Sequence, residues 1–167
     1  MVLYIISAIV LILIVCGFII FSNYSRLKDI QMSIDTCTDS INDILDKKLV
    51  MVNEILKKMN NEKLDRAFTY DENATLYERE DALFNISFEI NKYVKEHKKS
   101  KLKEEVKDLN ALEENLDGLK DFYNTNVLNY NEIFYKKLFN KIYKLLKFDT
   151  YKSFKIRKLE EYEIFKN

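Results

Sequence analysis

From Val2 to Phe21 the chain carries 20 residues without a charge, and only Ser7 and Gly17 interrupt the apolar side chains. At a rise of about 1.5 Å per residue, roughly 20 such residues cross a hydrocarbon core of about 30 Å. The run therefore predicts a transmembrane helix over residues 1–23 and is too long and too uniformly apolar for a buried core helix. No basic n-region or small-x-small cleavage motif accompanies it, so it reads as a signal anchor rather than a cleaved leader. Leu13-Ile14-Val15-Cys16 faintly resembles a lipoprotein cleavage site, but Val15 is bulky and the apolar run continues past the cysteine. Lipidation is not expected.

Past residue 23 the apolar positions fall at helical spacing. Ile34, Cys37, Ile41, Leu45, Leu49, Val52, Leu56 and Met59 step by three or four, the stripe of a helix lying on partners. No breaker separates this stripe from the anchor, which allows one continuous rod. Residues 60–74 are polar, and Thr75 followed by Glu78 forms a capping-box start for a second helix with Leu76, Leu83, Ile86, Ile90 and Tyr93 on its stripe. A turn is expected over Lys98–Lys101. The third and longest stripe is Leu102, Val106, Leu109, Leu112, Leu116, Leu119, Tyr123, Val127, Tyr130, Phe134 and Leu138. A shorter helix after Asp149 and Thr150 would place Phe154, Leu159, Tyr162 and Phe165 on its apolar side.

These elements predict an all-α protein: an N-terminal transmembrane helix, then residues 24–167 as an antiparallel bundle of three long helices plus a short C-terminal one. The expected path leaves the membrane on the first helix, returns on the second and leaves again on the third. The absence of proline and the presence of only two glycines exclude a turn-rich β architecture. Stripes this wide require burial within the chain or against a second copy, so a coiled-coil-like homo-oligomer stays open.

Net charge is zero, but residues 29–96 hold 15 acids against 9 bases, while residues 133–158 hold 9 bases against one acid, Asp149. This asymmetry points to an interaction surface or to charge pairing between helices. Without whole-chain basicity it does not point to nucleic acid. Only Cys37 lies outside the apolar run, since Cys16 falls inside it, and a single soluble-domain thiol fits a reducing compartment. Arg26 and Lys28 follow the span closely, and the positive-inside rule then places the bundle in the cytoplasm.

Tyr123-Asn124-Thr125-Asn126-Val127-Leu128-Asn129-Tyr130-Asn131 resembles the Y-N-x-x-V-x-x-Y-N signature of the LemA family of bacterial single-span membrane proteins. Leu145-Leu146-Lys147-Phe148 falls where that family shows an L-F-G-F-like segment, and Ile41, Leu45, Lys47 and Lys48 fall where it shows I-D-x-x-L-x-R-R. The layout agrees over most of the chain and the motifs over about 40 residues. Asn53 stands where the family has a proline, and Leu138, Lys144 and Lys147 replace a late proline and glycines. These departures predict that the family's ordered loop becomes continuous helix here. The resemblance implies a membrane-anchored helical bundle without an assigned activity, and it brings no catalytic residue.

Tyr123, Val127 and Tyr130 lie on the third stripe, with Asn124 and Asn131 flanking it seven residues apart. Two readings are open for the asparagines: they fix the register of the first and third helices, or their amides face water. His97, the sole histidine, has no metal-ligand spacing around it and reads as a solvated helix-end residue. Glu104 and Glu105, like Glu113 and Glu114, are adjacent pairs pointing about 100° apart, unsuited to one shared site. No catalytic, cofactor-binding or metal residue is assigned. Lys136, Lys137, Lys141, Lys144 and Lys147 fall within about 140° of helical arc, opposite Leu138, Phe139, Ile142, Tyr143, Leu145 and Leu146. Such a face contacts anionic lipid, water or protein, and because the expected helix path leaves it far from the membrane, the acidic surface of the first or second helix is one such contact. The sequence thus predicts a non-enzymatic, membrane-anchored scaffold acting through other proteins. The alternative is a single-span receptor with its bundle outside the cell.

Overall fold

The computed structural model describes residues 1–59, 64, 68–71, 73–97, 102–136, 140–146, 148 and 150–155. They form four helices: α1 Val2–Met59, α2 Leu76–Glu96, α3 Lys103–Phe134 and α4 Asn140–Leu145, with no strand among the described residues. The all-α expectation holds. Lys98–Lys101, Leu138 and the residues from 156 on lie outside the described residues, so the expected turn and the last apolar positions Leu159, Tyr162 and Phe165 are not placed.

α1 carries the apolar run into the first stripe without interruption. It is long and apolar enough near its N-terminus to cross a membrane. Every side chain from Leu3 to Ile19 is exposed, Ile20 is the first to be half-buried, and Leu27 is the first in the core. Protein cover thus begins where the apolar run ends. Residue 23 marks that change of surroundings and not a break in the helix.

Compact packing divides the chain differently: Met1–Thr36 goes with Tyr123–Ser153, and Cys37–Phe122 goes with Phe154–Asn167. In the second of these units Ile41, Leu45, Val52, Leu56 and Met59 of α1 are buried with Leu83, Ile86 and Ile90 of α2 and Val106, Leu109 and Leu116 of α3. The start of α2 is set locally. The Thr75 hydroxyl accepts from the Glu78 N–H at 3.4 Å, and the Glu78 carboxylate accepts from the Thr75 N–H at 2.9 Å. Thr75→Ala removes one half of this box and should cost about 1 kcal/mol in chemical denaturation.

Interhelix bonds within this unit fix the helix directions. Going up α1, Cys37, Lys48 and Lys58 meet Leu119, Glu113 and Glu105, which descend α3. Going up α2, Glu80 and Asn91 meet Lys120 and Asn110, which also descend α3. α3 therefore runs antiparallel to both α1 and α2, and those two run parallel. α3 is antiparallel to its neighbours, but α1 and α2 are parallel rather than antiparallel, so α3, not α2, is the returning helix. Residues 60–75 make this path available. Sixteen residues reach up to about 50 Å when extended, ample to run back beside α1 before α2 starts. Arg79 pins that restart by donating to the Tyr70 hydroxyl at 2.6 Å, Asn42 Oδ1 at 3.1 Å and Asp46 Oδ1 at 2.6 Å.

In the other unit, Leu27 and Ile34 of α1 are buried, as are Tyr123, Val127, Tyr130, Ile133 and Phe134 of α3. After α3 the chain turns at Tyr135, forms α4 and returns through Phe148. Phe148 packs edge-on against Tyr24 at 5.5 Å between centroids and against Tyr143 at 6.1 Å. Tyr130 receives Tyr151 at 5.0 Å.

Two expectations are corrected here. The third stripe does not run on as continuous helix, because α3 stops at Phe134 and Lys136 is already non-helical. The short helix is α4, while 150–155, expected to open a C-terminal helix, is not helical. In both places aromatic docking overrides local propensity. Tyr143, Phe148 and Tyr151 gather around Tyr130 and Phe134, and Phe154 packs on Tyr77 at 4.5 Å, which draws the chain out in extended form.

Candidate functional site

The chemically notable residues of the helical core are charged. Lys48, fully buried, forms an ion pair with Glu113, which is 2% exposed. Lys120, 1% exposed, bonds Glu80 at 2.9 Å and Asp117, one turn earlier on α3, at 2.6 Å. Burial pushes the Lys120 ammonium toward a lower pKa, yet hydrogen bonds and charge from Asp117 and Glu80 outweigh it and hold the group above its ordinary value. A further layer is the amide pair of Asn91 and Asn110. Each donates to the other, at 2.9 and 3.1 Å, so a buried amide (Asn91) and a half-buried one (Asn110) satisfy one another. Lys58 and Glu105, at 3.0 Å, close the series at an exposed position.

These contacts change the expectation for Glu113. Adjacent glutamates do diverge, and the divergence sends Glu113 into the core while Glu114 stays exposed. Lys48–Glu113, Lys120–Glu80 and Asn91–Asn110 each tie α3 to another helix, and Asp117 adds a second carboxylate to Lys120 from α3 itself. Such pairing sets register and excludes shifted alignments. Among the described residues no group of three or more His, Cys, Asp or Glu is placed to hold a metal ion.

The signature residues occupy mixed environments. Tyr123, Asn124, Val127 and Tyr130 are buried, and Asn131 is half-buried with its Oδ1 lacking a hydrogen-bond partner among the described residues. The reciprocal amide pair lies elsewhere, at Asn91 and Asn110 between α2 and α3. His97 caps the C-terminus of α2, is exposed, and stacks on Tyr93 at 4.1 Å between ring centroids. Cys37 is buried, its thiol donating to the Leu119 carbonyl at 3.3 Å.

The basic stretch is not one helical face. Lys136 follows α3 in non-helical chain, Lys141 and Lys144 lie exposed on α4, and Lys137 and Lys147 lie outside the described residues. Leu145 and Leu146, expected on the covered side, are 82% and 47% exposed. The cause is the shortness of α4. Tyr143 and Phe148 take the packing positions against α3, and Leu145, about 40° around the helix from Lys141, is left beside the lysines. Burial pushes the Tyr143 phenol above its ordinary pKa.

No protein family, curated protein or solved structure matches the chain.

Proposed function

We propose that this protein is a membrane-tethered helical scaffold of LemA type that acts through protein contacts rather than chemistry. The observation that carries this reading is the use of its buried polar groups. Lys48, Glu113, Lys120, Glu80, Asn91 and Asn110 are all engaged in holding helices to one another. The exposed apolar stretch from Leu3 to Ile19 supplies the tether, and α1 carries it into the bundle as one helix. Arg26 and Lys28 beside the span favour a cytoplasmic bundle through the positive-inside rule.

The bundle offers single apolar side chains to a partner, among them Met32 and Leu128, both exposed. Photocrosslinkers introduced at Met32 and Leu128 of the full chain, in its own membranes, should give discrete protein adducts. Adducts with lipid alone would contradict the scaffold reading. Orientation is tested with Glu114→Cys, an exposed position, in a Cys37→Ala background. An impermeant thiol reagent should label it only after lysis, and labelling in intact cells would favour the receptor alternative.

A further inference from the structure

We propose that the exposed side chains of Tyr135, Lys136, Lys141, Lys144, Leu145 and Leu146 form a membrane-surface contact that docks on anionic phospholipid beside the exit of the protein's own span. The proposal rests on the reading that α1 crosses a bilayer, and its position in the fold carries it further. Phe148 packs on Tyr24, only three residues beyond Phe21, the last residue of the apolar run. At about 1.5 Å per residue, Tyr24 stands about 5 Å past the end of the span. Phe148 also packs on Tyr130 at 6.4 Å, so the last turns of α3 and the chain that follows are held at this level. The returning direction of α3 thus removes the objection that the lysines lie far from the membrane.

The chemistry of the segment matches that location. Lys136, Lys141 and Lys144 are exposed, and none forms an ion pair among the described residues. The sequence from Ile133 to Phe148 contains no acid. Next to the lysines in sequence stand Tyr135, 53% exposed, and Leu145 and Leu146. A bilayer interface presents phosphate-bearing headgroups over an apolar boundary, and basic and apolar side chains side by side meet both layers. A protein partner would need a complementary surface that also fits under the membrane. The bilayer is already there.

The chain contains no tryptophan, so Leu145→Trp places a single fluorophore at an exposed position without touching the core. The full chain carrying it is reconstituted in phosphatidylcholine bilayers with and without phosphatidylglycerol, using lipids brominated near the headgroup or deep in the tails. With phosphatidylglycerol, emission should shift to the blue and shallow bromines should quench it. Lys136→Gln, Lys141→Gln and Lys144→Gln should each lower the ratio of docked to free segment by about fivefold. Ile9→Trp, within the span, is the parallel probe and should be quenched by deep bromines in every bilayer. Water-like, unquenched emission from Leu145→Trp beside a quenched Ile9→Trp overturns the surface contact alone. Failure of Ile9→Trp to be quenched overturns the span, and the surface contact with it.

Discussion

Glu113→Leu alone should destabilise the protein by about 3–5 kcal/mol, and Lys48→Met added to it should recover most of that loss. The single change leaves the Lys48 ammonium fully buried without the carboxylate it pairs with. The double change puts two apolar side chains of similar volume into the same space, where no charge has to be desolvated. Replacing a buried ion pair by packed apolar groups is commonly neutral or stabilising, whereas removing one partner is not. Chemical denaturation of wild type, both singles and the double measures the coupling directly. Near-additive losses would mean that the two side chains do not form a pair in the core. The apolar double variant should also tolerate shifted helix alignments more readily, since a charge pair in one layer penalises every register that separates it.

Lys120→Met should cost a similar amount, about 3–5 kcal/mol, because it leaves two carboxylates, Glu80 and Asp117, facing the place of one cation. The pH dependence follows from the raised pKa of Lys120, which the carboxylates produce against the opposing effect of burial. A lysine whose folded pKa exceeds its unfolded value contributes its full stability below the unfolded value, roughly 10.4. The contribution is lost as pH rises through the folded value. Wild-type stability should therefore be insensitive to this group at neutral pH and fall in the alkaline range. In Lys120→Met that alkaline fall should shrink. Thermal unfolding of both proteins from neutral pH into the alkaline range checks this, and parallel curves would contradict it.

Much of the fold was legible because long stripes have few alternatives. The apolar run to Phe21 and the steps of three and four from Ile34 to Met59 are helical in α1, and the Thr75–Glu78 box opens α2. The helix directions were not legible, because apolar spacing fixes a face and says nothing of polarity. The polar stretch at residues 60–74 was visible, and it is long enough to carry the chain back beside α1, so the parallel α1–α2 arrangement was open.

The charged core shows a second limit. Lys48 continues the stepping between Leu45 and Val52, Glu80 fills the gap between Leu76 and Leu83, and Lys120 lies between Leu116 and Tyr123. Lys48 and Lys120 stand next to the stripe positions Leu49 and Leu119, and opposite signs on different helices were the available signal. At the chain's C-terminal side, a face drawn from Tyr135 to Phe148 assumed one helix. Docking of Tyr143 and Phe148 on the aromatic residues of α3 ends that helix early, and this is a tertiary effect that no local pattern reports.

The return of α3 toward the end of the apolar run links the fold to the proposed tether and surface contact, and one distance tests it. Spin labels are placed at Arg26 and Leu128, both exposed, in the full chain with Cys16→Ala and Cys37→Ala, reconstituted in a bilayer. If α3 runs back along α1, the two labels sit on neighbouring helices at the same level, and their separation should be within about 20 Å. If α3 instead ran away from the membrane, position 128 would lie some 26 residues farther along the bundle. The separation would then be roughly 40 Å, and the account would be contradicted.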